Sequence, residues 1–207
     1  MKLFKDITII GLTGQSGAGK SSVAGILKDL GFNIVDADKV SHRAASIEDF
    51  LEELKKSFPR CVDGGRLDRR AAAELIFGDK SAKEKYTSII FPYITRLCFE
   101  ELYRLSRTSP GIVVFDAPTL FESGLDSVCE AVISVVAPYC TLVERIMARD
   151  SVSRELAVAR LESQKSEEFF RSSSDYLINN NLSYSELVKS TEEVALAVRE
   201  RFRCLKE

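Results

Sequence analysis

The chain has 207 residues, 45% of them hydrophobic and 29% charged, the mix of an ordinary globular domain that needs no disulfide or metal to fold. Lys+Arg 29 against Asp+Glu 31 leaves a net charge of −2, which argues against a dedicated nucleic-acid binder. One histidine (His42) and five cysteines without CxxC spacing give a zinc site or a Ser-His-Asp triad almost nothing to draw on.

In chain order, Ile7-Thr8-Ile9-Ile10 reads as a buried strand and is followed by the glycine-rich stretch Gly11 to Gly19. Val23, Ile26, Leu27 and Leu30 then fall at helical spacing, with Gly31 as the stop. Phe32 to Val35 predicts a second strand that ends at Asp36-Ala37-Asp38. Ile47, Phe50, Leu51, Leu54 and Phe58 form one helix stripe closed before Pro59, and Asp63-Gly64-Gly65 is a turn. A helix-rich stretch runs to about Ser106, and Ile112 to Phe115 and Ala131 to Val136 are strands apolar enough to be covered on both faces. Tyr176-Leu177-Ile178 is a weaker strand. Ser183 and Glu186 make a capping box for a last helix whose inner face carries Leu187, Thr191, Val194, Val198 and Phe202. Strands separated by helices predict an α/β fold with a parallel sheet, and the helical stretch after the second strand predicts a substrate-side insertion.

Gly14-Gln15-Ser16-Gly17-Ala18-Gly19-Lys20-Ser21 fits G-x-x-x-x-G-K-[ST], between a buried strand and an amphipathic helix. Glycines let backbone N–H groups turn inward around a polyphosphate, and the helix N-terminus adds its positive dipole end. Lys20 is then expected to reach the β/γ-phosphates and the Ser21 hydroxyl to ligate Mg2+. The competing dinucleotide pattern fails, because its third glycine would fall at Ser22. Nucleoside triphosphate binding is the expectation.

Asp36 and Asp38 sit two apart at a strand end. On an extended segment they would point the same way, one taking a proton from an attacking hydroxyl and the other organising Mg2+. A helix cap at this position is the simpler alternative. Asp116 closes Ile112-Val113-Val114-Phe115-Asp116 as a Walker-B acid would, or serves as a strand-end turn residue. Arg145 and Arg149 share one helix face, with Arg154 and Arg160 close behind. They suit a mobile hairpin that neutralises a transferring phosphate, although Glu144, Asp150 and Glu155 also suit a solvated face.

These residues resemble the dephospho-coenzyme A kinase family. The likeness runs through Gly11-Leu12-Thr13-Gly14, Gly17, Gly19-Lys20-Ser21, Asp36-Ala37-Asp38 and Gly65-Arg66-Leu67-Asp68-Arg69. It continues through Phe115-Asp116-Ala117-Pro118-Thr119-Leu120-Phe121-Glu122, Arg145 and Arg149, Ala157, Arg160 and Gln164, and Asp175 to Asn180, in family order from Ile9 to about Val194. The resemblance implies a P-loop NTPase fold, three-layer α/β/α with a parallel sheet. It implies one domain over residues 1–207, with a helical acceptor-binding part at about 40–106 and a small helical lid at about 145–172.

The activity implied is ATP-dependent phosphorylation of the ribose 3′-hydroxyl of dephospho-coenzyme A, the last step of coenzyme A biosynthesis. ATP is the co-substrate and Mg2+ the cofactor, with no nucleic-acid, membrane or obligate protein partner. Asp38 would be the base with Asp36 in support, and Arg149 the lid arginine acting with Lys20. Gly14, Gly17, Ala18, Gly19, Lys20, Ser21 and Ser22 would hold ATP phosphates, and Asn180 would lie near adenine. Arg69 and Pro118, Leu120 and Glu122 would line the acceptor pocket together with Asp36, and Ser21 with Asp116 would serve the metal. A nucleoside or nucleoside-monophosphate kinase is the alternative.

Several positions depart from the family's usual residues. Phe91 stands where a histidine is usual before Pro92, and Gln15-Ser16 where glycine or a small apolar residue is usual. Thr119 replaces leucine, and Leu182 replaces glycine. Phe91 lies among Ile89, Ile90, Ile94 and Leu97, a setting that suits packing better than acceptor contact. His42 reads as a packing or surface residue. No apolar run approaches the roughly 20 residues of a membrane span, and Met1-Lys2-Leu3-Phe4-Lys5-Asp6 does not read as a signal peptide. Cys61, Cys98, Cys129, Cys140 and Cys204 sit mostly in apolar patterns, which predicts buried, reduced thiols in the cytoplasm.

Overall fold

The computed structural model describes residues 4, 6–181 and 183–203, except for the side chains of 76–78 and 203. Leu182 and Cys204, singled out above, lie outside the described residues, as do Met1 to Leu3 and Lys5. The chain divides into two compact units, residues 1–35 with 105–207, and residues 36–104.

The first unit is built on a five-stranded sheet. Its strands are β1 (Ile7–Gly14), β2 (Asn33–Asp36), β5 (Gly111–Asp116), β6 (Ala131–Val136) and β7 (Tyr176–Asn179), in the order β2-β5-β1-β6-β7. The β1–β5, β1–β6 and β6–β7 pairs are parallel, with Ile10 opposite both Val114 and Ala131. Every residue of β1 and β6 is buried, as continuous apolar runs require when helices cover both faces. α1 (Lys20–Asp29) and α9 (Tyr184–Arg203) pack together, and Val23 and Leu27 meet Ile133, Val135, Leu187 and Val198 in one core. α6 (Tyr139–Asp150), α7 (Arg154–Glu162) and α8 (Glu167–Ser173) fill the crossover from β6 to β7. The capping box forms as its chemistry demands. The Ser183 N–H donates to Glu186 Oε2 at 2.9 Å, and the Glu186 N–H donates to Ser183 Oγ at 3.4 Å.

The second unit contains α2 (Ala37–Ala44), α3 (Glu48–Ser57), a hairpin of β3 (Val62–Asp63) and β4 (Arg66–Leu67), α4 (Arg69–Gly78) and most of α5 (Lys80–Thr108). Phe50, Leu54, Tyr86 and Ile90 form its core, with the Phe50 and Tyr86 rings edge to face at 6.5 Å. The Gly64-Gly65 turn closes the hairpin. α5 runs straight through Pro92, which forfeits one backbone donor there and is exposed. Phe91 is half-buried and packs against the Phe50 cluster, and His42 is exposed.

Two sequence expectations need correction. Asp36 and Asp38 do not share an extended segment, because the strand ends at Asp36 and a helix starts at Ala37. The Asp36 carboxylate accepts from the Lys39 N–H at 3.0 Å, which satisfies a helix N-terminal donor and makes Asp36 the N-cap. Nor are the thiols uniformly buried. Cys61 and Cys98 are, Cys129 is half-buried, and Cys140, on the first turn of α6, is exposed. Burial pushes the Cys98 and Cys129 thiols up to about 12, which keeps them protonated and inert.

Candidate active site

β1 delivers the glycine-rich loop to the carboxyl edge of the sheet, and α1 begins at Lys20. Glycine is obligatory at two points of the loop. Gly14 has φ +150° and a Cβ there would collide with the Val135 carbonyl, while Gly19 has φ +94° and a Cβ would strike the Asn180 amide. The loop is braced from β7. Asn180 is buried, and its Nδ2 donates to the Ala18 carbonyl at 2.8 Å. The side chain expected near adenine therefore has its amide engaged on the phosphate loop itself.

Lys20 Nζ forms an ion pair with Asp116 Oδ1 at the end of β5. Both side chains are mostly buried, at 14% and 8% exposure, so the pair is weakly screened. This arrangement uses Asp116 as more than a turn residue. Ser21 and Ser22 are exposed on the first turn of α1. The Ser21 hydroxyl and the Asp116 carboxylate are hard oxygen donors, and they suit a Mg2+ that keeps its remaining ligands from phosphates and water.

The arginines sort by environment. Arg149 donates through Nε and Nη2 to Asp150 at 2.8 and 2.9 Å, and through Nη2 to Ser16 Oγ at 3.1 Å. Arg160 also bonds to Asp150. The hydrogen bond from Arg149, reinforced by both guanidinium charges, holds the Asp150 carboxyl down at about 2. Arg145 donates to the Gly17 carbonyl at 3.3 Å, which braces the loop, and Arg154 is exposed.

The segment after β5 is anchored by the Ala117 N–H on the Leu12 carbonyl at 3.0 Å and by Thr13 Oγ1 on the Pro118 carbonyl at 3.2 Å. Phe121 packs edge to face on Phe169 of α8 at 5.1 Å. Leu120 is fully buried, so its side chain belongs to the core, whereas Thr119 and Glu122 are exposed and Pro118 is half-buried. In the second unit, Asp38 is exposed on the first turn of α2. Arg69 is exposed at the start of α4, where Asp68 caps the helix by accepting from the Arg70 and Ala71 N–H groups at 2.9 and 3.0 Å.

Sequence reasoning missed Gln15, Ser16 and Asp150 as site residues. Gln15 Nε2 donates to the Lys165 carbonyl at 3.2 Å, and the Ser16 N–H donates to Gln164 Oε1 at 3.0 Å. No spacing signal announces partners about 150 residues away. The acidic neighbour of Arg149 was visible, and it read as surface patterning.

A phosphate loop after the first strand of a β2-β5-β1-β6-β7 sheet, its lysine paired with an acid at the end of the adjacent strand, defines a P-loop kinase fold. Comparison with known proteins carries the assignment further. Residues 8–186 match the family model for dephospho-CoA kinase. A dephospho-CoA kinase from Thermus thermophilus is 39% identical over 186 residues, 90% of this chain and 89% of that protein. The crystal structure of TT1252 from T. thermophilus aligns with a TM-score of 0.83 at 38% identity, covering 93% of this chain and 98% of that one. A dephospho-CoA kinase from Campylobacter jejuni aligns at 0.71 and 28% identity, covering 94% and 98%. The chain belongs to the dephospho-CoA kinase family, enzymes that phosphorylate dephospho-CoA with ATP in coenzyme A biosynthesis.

Proposed function

We propose that this chain transfers the γ-phosphoryl group of ATP to the ribose 3′-hydroxyl of dephospho-CoA, giving coenzyme A and ADP, in the cytoplasm. The observation that carries the reading is the phosphate loop with its fixed cations, Lys20 tied to Asp116 and Arg149 held on Ser16. Phosphoryl transfer needs little covalent help from the protein; positioning and charge neutralisation supply most of the catalysis. The loop residues Gly14, Gly17, Ala18, Gly19, Lys20, Ser21 and Ser22 hold the ATP phosphates, and Lys20 supplies a preorganised cation. Ser21 and Asp116 hold Mg2+, which neutralises phosphate charge when bound. Arg149 answers the charge on the transferring group. Asn180 acts by bracing the loop. Asp38 accepts the proton of the acceptor hydroxyl, and Asp36 shapes the start of its helix. Arg69, Pro118 and Glu122 contact the acceptor, and the unit of residues 36–104 serves as its binding part. No helix among the described residues is long and apolar enough to cross a membrane.

A coupled assay of ADP release tests this, run with Mg2+ and ATP against dephospho-CoA, adenosine and a nucleoside monophosphate. The expected outcome is turnover with dephospho-CoA at least 100-fold above either alternative, since a site built to bind one acceptor's polar groups rejects analogues lacking them by about that much or more. Equal or faster turnover with a nucleoside or its monophosphate would reassign the chain to another small-molecule kinase.

A further inference from the structure

Three hydrogen bonds run from the second and third residues of the phosphate loop to the α6–α8 crossover. Gln15 Nε2 reaches the Lys165 carbonyl at 3.2 Å, the Ser16 N–H reaches Gln164 Oε1 at 3.0 Å, and Ser16 Oγ accepts from Arg149 Nη2 at 3.1 Å. The first two fasten the crossover to the loop. The third differs from them, because it fixes the end of a long cationic side chain that is otherwise 56% exposed.

The orientation of that guanidinium is determined by two anchors. Asp150 takes Nε and one hydrogen of Nη2, and Ser16 takes the other hydrogen of Nη2. Among the described residues the two Nη1 hydrogens carry no bond, which leaves the Nη1 amino group as a donor for an anion. Asp150 is the last residue of α6, the helix that also carries Arg149, whereas Ser16 belongs to the glycine-rich loop after β1. Asp150 orients the guanidinium within α6, and the Arg145 bond to the Gly17 carbonyl ties that helix to the loop without touching the Arg149 side chain. The hydroxyl of Ser16 registers it to the phosphate loop.

We propose that Ser16 is a positioning residue for phosphoryl transfer, its hydroxyl holding the Arg149 guanidinium at the phosphate loop and leaving the Nη1 amino group to serve the transferring group. The inference rests on the role given to Arg149 above. It follows from the value of preorganised charge, since a cation that must be ordered during the reaction stabilises the transition state less than one already in place.

A double-mutant cycle on the full chain tests it. S16A should lower kcat roughly tenfold, the worth of one hydrogen bond to a charged group, and leave KM for ATP and dephospho-CoA within about twofold. Its melting temperature should match the wild type, and S16T, which restores the hydroxyl, should recover most of kcat. In an R149K background, where the fork geometry is gone, S16A should cost no further activity, because the two residues act as one unit. A full S16A loss persisting in R149K would overturn the proposal, as would an S16A effect confined to KM or a failure of S16T to rescue. A wild-type chain that turned over a nucleoside instead of dephospho-CoA would strike the substrate assignment and leave the cycle, run with that acceptor, as the test of Ser16.

Discussion

An acceptor hydroxyl attacking a γ-phosphate must lose its proton in the course of the reaction, and a carboxylate within reach assists by about 10²–10⁴-fold. Asp38, exposed on the first turn of α2, is the residue given that task, since the neighbouring Asp36 carboxylate is engaged by the Lys39 N–H and ammonium at 3.0 Å each. Asp38→Asn keeps the shape and removes the basicity. Turnover should fall at least 100-fold while calorimetric titration shows ATP binding within about twofold of wild type. Turnover within a factor of ten of wild type would move the role to another group. Phe91 acts at the same scale. It is half-buried against the Phe50 cluster, an apolar setting that suits a phenyl ring better than an imidazole. Phe91→His should destabilise the protein by about 1 kcal/mol in urea unfolding and leave KM for dephospho-CoA unchanged. A Michaelis constant lowered tenfold with unchanged stability would instead place position 91 at the acceptor.

At the scale of elements, the Asp175-to-Asn180 block divides between the two ends of β7. Asn180 lies beyond its carboxyl end and braces the phosphate loop, while Asp175 lies before its start and ties β6 to α9. Asp175 Oδ2 accepts from the Val132 N–H at 2.9 Å, and Oδ1 accepts from Arg201 Nη1 at 2.8 Å. Burial raises the Asp175 pKa, but the hydrogen bonds from Arg201 and Val132 outweigh it, and the carboxyl sits below its usual 3.8. The sign follows from linkage. The folded state favours the charged form, so this contribution is present above about pH 4 and fades as the pH drops through the lower folded value. Asp175→Ala should cost about 1–3 kcal/mol at pH 7. Asp175→Asn should show a shallower decline of stability below pH 4 than wild type, read by urea midpoints from pH 6 to 2. An identical decline would assign the acid sensitivity to other carboxylates.

At the scale of the molecule, binding to the native state adds RT ln(1 + [L]/Kd), about 2.7 kcal/mol at a hundredfold excess over Kd. For a chain of this length that amounts to a rise of roughly 5–10 °C in melting temperature. ATP with Mg2+ and no acceptor should produce such a rise, because the loop, Lys20, Ser21 and Asp116 all belong to one compact unit. Chelating the metal with EDTA should shrink the shift. No shift at saturating ATP would count against the phosphate loop as a nucleotide site.

Local physics determined much of this protein from the sequence alone. Strand β6, the Ser183–Glu186 box, the Gly64-Gly65 turn and the phosphate loop were all legible, because each depends on apolar periodicity or on residues close together in the chain. The family was legible for the same reason, since its blocks are short and ordered along the chain. Asp36-Ala37-Asp38 was misread as extended because the contest between strand and helix cap is settled by where the chain turns. The place of Leu120 in a loop-like block says nothing of its burial, and only packing puts its side chain wholly in the core. The bonds from Asn180 to Ala18, Lys20 to Asp116 and Arg149 to Ser16 span 162, 96 and 133 residues. Such pairs carry no periodicity and no fixed spacing. They exist only once strand order brings the carboxyl ends of β1, β5, β6 and β7 to one edge of the sheet, so the tertiary structure alone decided which partner each of these side chains meets.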